Sequence, residues 1–169
     1  MIIMGIFSKL FGSAKAEAPA NEIYAPVAGK AVDVTEVPDP TFSSGMLGKG
    51  IAIIPSDGKV YAPCDGTISV MFDTGHAVSM TADNGAEVLV HVGLETVGLK
   101  GEGFTIHAQN EQKVKKGDLL IEVDLEVLKE KGLNPITPVL VCNSDEYTKF
   151  ETVTGQDVAA GDVVIKLDK

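Results

Sequence analysis

The sequence predicts an all-β protein, an antiparallel β-sandwich or barrel-sandwich with an internally duplicated motif and one or two short helices. Composition is the first reason: the 169 residues include 18 glycines and 8 prolines, which favours short strands joined by turns. Repetition is the second reason. Residues 25–32 (APVAGKAV) resemble residues 62–69 (APCDGTIS), and residues 114–121 (VKKGDLLI) resemble residues 158–165 (VAAGDVVI). Two such pairs indicate a β-unit that is used twice and closes as a sandwich.

Length and charge limit the domain organisation and the partners. A chain of 169 residues is large enough for one domain with a sizeable core, which we place at residues 21–169. Its net charge of −10 argues against nucleic acid as a partner, because phosphate binding needs a basic surface. The acidity either keeps the protein soluble or speeds encounter with a basic protein partner.

Residues 1–20 differ in pattern from the rest of the chain. Their apolar residues recur about every fourth position, so a helix would carry on one stripe Ile2, Ile3, Ile6, Phe7, Leu10 and Phe11. The segment is too short to span a bilayer. Two interpretations stay open: an amphipathic helix that contacts a membrane surface through residues 1–12, and a disordered tail.

Prolines, glycines and helix-capping residues predict the structure of three further segments. Residues 36–50 are predicted to form a loop, because two prolines and three glycines prevent long regular structure. The apolar residues of this loop either cap the core or form a contact surface. Residues 125–132 (LEVLKEKG) predict a short helix that ends at Gly132. Residues 143–146 (NSDE) predict a short turn capped by Asn143.

Two of the three histidines flank a turn signal. His76 and His91 lie on either side of residues 83–85 (DNG), which predict a β-hairpin. Either two-residue loop would place both imidazoles on one face, whereas a three-residue loop would place them on opposite faces. We expect Val78, Met80 and Leu89 on the histidine face, and the alternate face to enter the core through Val88, Val90 and Val92.

The histidine pair alone admits three interpretations. It is a satisfied structural pair, part of a metal site, or a centre of covalent chemistry, since imidazole is nucleophilic near its pKa of ~6.5. Zinc-peptidase spacing is missing: the fourth residue after His76 is Met80, and the sequence contains no H-x-H. The two cysteines, Cys64 and Cys142, are far apart. They predict a cytoplasmic protein with reduced thiols and are interpreted as small buried hydrophobes.

A longer pattern around His91 favours the covalent interpretation. Residues 85–97 (GAEVLVHVGLETV) resemble the phosphohistidine signature of the glucose-type enzyme IIA of the phosphoenolpyruvate-dependent sugar phosphotransferase system. Residues 99–104 (LKGEGF) also resemble this family, and the resemblance extends from about Ile23 to Lys169.

The resemblance implies a phosphocarrier. His91 would accept a phosphoryl group on Nε2 from the histidine phosphocarrier protein (HPr) and pass it to a cysteine on the IIB domain of a sugar permease. His76 would stabilise the phosphoryl group through its N–H, and Thr74 would fix an imidazole tautomer. No cofactor is required for this transfer, because positioning and electrostatics dominate phosphoryl transfer.

A docking surface and further partners are also expected. The resemblance implies docking for the loop at residues 36–50, and the apolar histidine face of the hairpin suits contact with a protein. The docking residues would be Asp39, Phe42, Met46, Leu47, Phe72, Val78, Leu89, Glu95 and Val97. Regulated permeases or kinases are candidate partners, and His76 with His91 could share a zinc ion with a partner's carboxylate. The protein is expected to act as a monomer in the cytoplasm, at the inner face of the cell membrane if residues 1–12 bind lipid.

Overall fold

A computed structural model describes residues 21–169, so the predicted amphipathic or disordered segment lies outside the described residues. The helical segments are two short α-helices, α1 (Pro40–Ser43) and α2 (Leu125–Glu130), and three 3-10 turns at Val34–Glu36, Thr96–Leu99 and Ser144–Glu146. The strands are β1 (Glu22–Tyr24), β2 (Gly29–Asp33), β3 (Lys49–Pro55), β4 (Lys59–Tyr61), β5 (Gly66–Met71), β6 (Ala77–Ala82), β7 (Glu87–His91), β8 (Phe104–Ile106), β9 (Lys113–Val114), β10 (Leu119–Val123), β11 (Thr137–Val141), β12 (Lys149–Thr152), β13 (Gln156–Val158) and β14 (Val163–Asp168).

These strands form three antiparallel sheets. The largest has the order β9-β5-β6-β7-β11-β3-β2-β13, and two three-stranded sheets have the orders β4-β10-β8 and β12-β14-β1. Every recorded pairing is antiparallel. The predicted antiparallel β-sandwich is therefore confirmed.

The duplicated motif appears as matching backbone hydrogen bonds. Ala25 N–H donates to the Asp162 carbonyl (2.7 Å), and Ala62 N–H donates to the Asp118 carbonyl (2.8 Å). Each unit also reaches into the other: Tyr24 N–H donates to Pro63 O (2.8 Å), and Tyr61 N–H donates to Pro26 O (2.7 Å). The two copies of the repeated unit therefore make equivalent hydrogen bonds, and each copy is bonded to the other at the same position.

The short helix predicted over residues 125–132 is present as α2. α2 begins after Asp124, whose carboxylate accepts from Glu126 N–H (3.0 Å), and the chain leaves it through Gly132 with a φ of 73°. The turn at 144–146 is present, but Asn143 does not cap it. Its side chain instead accepts from Glu87 N–H (2.9 Å) and donates to Gly85 O (3.0 Å), so it ties the tip of the histidine hairpin to the neighbouring chain.

Two apolar clusters hold the described residues together. The main core lies between the sheets and includes Ile23, Ile51, Leu120 and Ile165. A smaller cluster lies on the other face of the large sheet and consists of Val32, Val37, Phe42, Ala52, Leu94, Ile136 and Leu140. This second cluster fixes the segment with α1, which was predicted only as a loop, over the sheet beside His91. Within residues 21–169, no helix is long and apolar enough to cross a membrane.

Candidate functional site

His91 is the last residue of β7, and its ring is oriented by the turn that follows. Nδ1 lies 2.7 Å from the carbonyl oxygen of Gly93. A carbonyl only accepts hydrogen bonds, so Nδ1 carries the proton and donates. Nε2 then keeps its lone pair, in a side chain that is half-buried. Gly93 adopts a φ of 80°, a conformation that favours glycine.

His76 lies beside His91 and is buried. The two rings meet edge to face with centroids 5.2 Å apart, and Nδ1 of His76 is hydrogen-bonded to the hydroxyl of Thr74. The ring of Phe72 packs on the ring of His76 with centroids 5.2 Å apart, and the ring of Phe42 packs on the ring of His91 with centroids 4.9 Å apart. The structure therefore brings together Thr74, both histidines and one aromatic ring on each.

The hairpin register differs from both two-residue predictions. β6 pairs with β7 so that Ala77 faces His91, and Ala82 N–H donates to Ala86 O (2.8 Å), which leaves a three-residue loop at residues 83–85. The expectation that such a loop would separate the imidazoles is also wrong. His76 precedes the first residue of β6 and follows Gly75, whose φ is 75°, so strand alternation does not fix the direction of its side chain.

The shifted register changes which residues form the histidine face. Val78 and Met80 are fully buried in the main core with Val88, Val90 and Val92. Their predicted place on the histidine face is wrong, and Val78 cannot be a docking residue because it has no exposed surface. Leu89 is half-buried on the predicted face and packs against the smaller cluster.

The other predicted docking residues differ in how deeply they are buried. Phe42 is buried and Asp39 is half-buried. Met46 is 75% exposed, and Leu47, Phe72, Val97 and Glu95 are also exposed. Asp39 has a structural role too, because its carboxylate accepts from Thr41 N–H (3.0 Å) and caps α1. Of this predicted surface, Phe42 and Phe72 contact the imidazoles, and the carboxylate of Asp39 acts on His91 through its charge.

Burial controls the charge of the imidazoles. It lowers the pKa of His91 below the ordinary value, although the hydrogen bond with the Gly93 carbonyl and the carboxylate of Asp39 oppose this. Burial likewise lowers the pKa of His76, and positive charge on His91 lowers it further. Both rings are therefore neutral near pH 7, which is the form that can act as a nucleophile.

The remaining candidate groups lie apart from this pair. His107 is exposed, with Nε2 2.9 Å from a carboxylate oxygen of Glu122. Cys64 is buried, but Cys142 is exposed, so the interpretation of both thiols as buried hydrophobes is wrong for Cys142. Among residues 21–169, no group of three or more His, Cys, Asp or Glu could hold a metal ion. A zinc ion shared by the two histidines would need its other ligands from a partner and stays a prediction.

One functional atom was missed by the sequence analysis: the Gly93 carbonyl that orients His91. A backbone acceptor leaves no residue type of its own in a sequence. The available signal was Gly93, two residues after the histidine, because a glycine directly after a strand often adopts the left-handed backbone of a tight turn.

Comparison with known families gives one family model. The model described as phosphoenolpyruvate-dependent sugar phosphotransferase system, EIIA 1, matches residues 21–147. The matched range contains Thr74, His76, His91 and Gly93.

Individual relatives are similar over most of the chain. The PTS system glucose-specific EIIA component of Halalkalibacterium halodurans is 49% identical, with 93% of this chain and 94% of the relative covered. That of Haemophilus influenzae is 45% identical, with 98% and 100% covered. A PTS system mannose-specific EIIBCA component of Corynebacterium glutamicum is 45% identical over 87% of this chain but only 22% of the relative.

A solved structure supports the same comparison. The glucose permease IIA from Mycoplasma capricolum has a TM-score of 0.80 and 35% sequence identity, with 85% of this chain and 93% of that chain covered.

Proposed function

The chain belongs to the EIIA 1 family of the phosphoenolpyruvate-dependent sugar phosphotransferase system, and on this premise we propose that it accepts a phosphoryl group on Nε2 of His91. One observation carries the proposal. Because Nδ1 donates to the Gly93 carbonyl at 2.7 Å, the lone pair of His91 is on Nε2. Burial keeps this ring neutral, and His76 lies beside it.

In the first step, Nε2 of His91 attacks the phosphorus of the phosphohistidine of the histidine phosphocarrier protein. The Nε2–P bond forms as the donor's N–P bond breaks, and the electron pair returns to the donor's imidazole. The ring of His91 keeps its Nδ1 proton and gains positive charge. That charge is stabilised by the Gly93 carbonyl and by the carboxylate of Asp39, because both interact more strongly with a cationic ring.

His76 acts on the transferred group rather than on the attacking atom. When the Thr74 hydroxyl donates to Nδ1 of His76, Nε2 of His76 carries a proton and can donate it in a hydrogen bond to a phosphoryl oxygen. A donor already in place stabilises the charge that develops on these oxygens. In the second step, a cysteine thiolate of a IIB domain attacks the phosphorus, and the electron pair of the breaking bond returns to Nε2 of His91.

The surface around the histidines fits protein partners. Met46, Leu47, Phe72 and Val97 expose apolar side chains, and an apolar centre with a polar rim is typical of protein interfaces. The carboxylate of Asp39 acts on His91 and Glu95 is a further exposed acidic residue, and the net charge of −10 would speed encounter with basic partners. The names of the H. halodurans and H. influenzae relatives contain glucose, so we propose a glucose-type permease as the acceptor.

The test is phosphoryl transfer from phosphoenolpyruvate with purified enzyme I and the histidine phosphocarrier protein, followed by intact mass. The wild type should gain one acid-labile phosphate and His91→Ala none. His107→Ala is the matched control, because the His107 side chain is exposed and paired with Glu122 rather than with either site histidine, and it should be labelled like the wild type. Labelling of His91→Ala would contradict the proposed site, and an unlabelled wild type would contradict the carrier function.

A further inference from the structure

The turn that follows β7 contains a buried hydroxyl whose role goes beyond the phosphorylated histidine. We propose that Thr96 is a positioning residue, which holds the Gly93 carbonyl against Nδ1 of His91 and so keeps the lone pair on Nε2. Thr96 is fully buried, and its hydroxyl is bonded to the Val92 carbonyl rather than to an imidazole. It acts through the backbone of residues 92–96.

A short hydrogen bond closes this turn. The Thr96 hydroxyl donates to the carbonyl of Val92, four residues earlier, at 2.6 Å. Val92 directly follows β7 and is itself held in place, since its N–H donates to the carbonyl of His76 at 2.7 Å and its side chain lies in the main core. Thr96 thereby ties the end of the turn to Val92, which follows His91 in the chain and is hydrogen-bonded to His76.

The side chain of Thr96, held by its hydroxyl, packs against Gly93. A Cβ placed on Gly93 would lie 2.7 Å from Cγ2 of Thr96 and 3.2 Å from the carbonyl oxygen of Asn134. Gly93 therefore packs directly against Thr96 in a left-handed conformation, with a φ of 80°. On the far side, Leu94 N–H donates to the same Asn134 carbonyl at 2.9 Å. Because the Thr96 hydroxyl fixes the side chain that packs on Gly93, the Gly93 carbonyl has little freedom to turn away from His91.

Loss of this restraint would change the tautomer of His91. Neutral imidazole places its proton on either nitrogen, and the hydrogen bond at one nitrogen decides which. If the Gly93 carbonyl rotates away, the proton can move to Nε2, where it blocks the lone pair that the proposed transfer uses. Thr96 would therefore influence the reactivity of His91 without contacting the reacting atoms.

The matched variants Thr96→Val and Thr96→Ser separate the hydroxyl from packing. Valine keeps the shape and loses the donor, whereas serine keeps the donor and loses the methyl group. Long-range 1H–15N spectra of 15N-labelled protein report the tautomer of His91. The wild type and Thr96→Ser should show the Nδ1–H form, and Thr96→Val should show a mixture with Nε2–H. The rate of phosphoryl acceptance should fall about tenfold in Thr96→Val, as expected for one lost hydrogen bond.

Two results would overturn the proposal: a pure Nδ1–H tautomer with a wild-type rate in Thr96→Val, or an equal tautomer change in Thr96→Ser. Amide spectra check that each variant folds. If Thr96→Val does not fold, Thr96→Ala compared with Thr96→Ser gives the same test of the hydroxyl, and equal tautomers in those two would overturn it. The rate measurement rests on the proposed function. The tautomer measurement does not, so a wild type that accepts no phosphate would leave the test of Thr96 intact.

Discussion

Each copy of the duplicated unit contains one antiparallel pair of strands, and the two copies differ in the connection between these strands. β2 pairs with β3 from Gly29 opposite Pro55, and β5 pairs with β6 from Gly66 opposite Ala82. The first connection, residues 34–48, is long and contains α1. The second, residues 72–76, is short and contains Thr74 and His76. Both connections border His91, one through Phe42 and the other through His76.

The two connections are held in place by different physical means. The long one carries its own apolar cluster, in which Val37 and Phe42 pack on Val32, Ala52 and Leu140. The short one turns at Gly75, where a Cβ would lie 3.1 Å from side-chain atoms of both Phe104 and Ile106. Duplication supplies a backbone frame twice, and the connections supply the groups that surround His91. They are free to differ because they lie outside the sheet ladder.

The largest effect should come from breaking the anchor of the long connection. Phe42→Ala removes a buried ring from the smaller cluster and should cost about 3 kcal/mol of unfolding free energy, measured by urea denaturation. Because residues 34–48 lose their anchor, transfer from the phosphocarrier should also weaken. Unchanged stability would show that the cluster does not hold this connection.

The short connection should affect the chemistry rather than the stability of the frame. His76→Gln should still accept a phosphoryl group, since the hydrogen bond between His91 and Gly93 does not involve His76. Onward transfer to the IIB cysteine should fall about 100-fold, the usual effect of removing one well-placed donor from a transition state. Separate single-turnover measurements of the two steps test this, and normal sugar uptake by the variant would contradict it.

These two connections also show what the sequence can and cannot reveal. The repeated segments predicted the frame, and the pattern of residues 85–97 predicted the family; the fold and family assignments are confirmed. The hairpin register was missed because Asn84–Gly85 suggests a two-residue loop, whereas Gly85, with a φ of 92°, ends a three-residue loop. One residue of register reverses the faces of a strand, which is why Val78 was placed at the surface.

The burial of Phe42 could not be predicted for a related reason. Its neighbours Val32 and Leu140 are distant in sequence and meet only after β2, β3 and β11 pair. The orienting carbonyl of Gly93 is likewise a property of the folded backbone. Sequence patterns identify residue types and local periods, but the packing of a loop on a distant strand depends on the whole sheet.

A smaller effect should come from the exposed tip of the long connection. Met46→Ala should leave the free energy of unfolding within about 0.5 kcal/mol of the wild type, because the side chain is 75% exposed. If Met46 contacts the partner, the KM for the phosphorylated phosphocarrier should rise several-fold, with kcat little changed. An unchanged KM would remove Met46 from the docking surface. Comparison with Phe42→Ala separates the anchor of the connection from its contact surface.

The smallest effect should come from the charge that the long connection places near His91. The carboxylate of Asp39 favours the protonated ring and raises the pKa of His91, so Asp39→Asn should lower that pKa further below the ordinary value. Asparagine also caps helices well, so α1 should still begin at Pro40. NMR titration of the His91 ring measures the change, with Asp157→Asn on β13 as the control of equal net charge. A midpoint that stays the same or rises in Asp39→Asn alone would show that Asp39 does not stabilise positive charge on His91, and its place beside the ring would then matter only for docking.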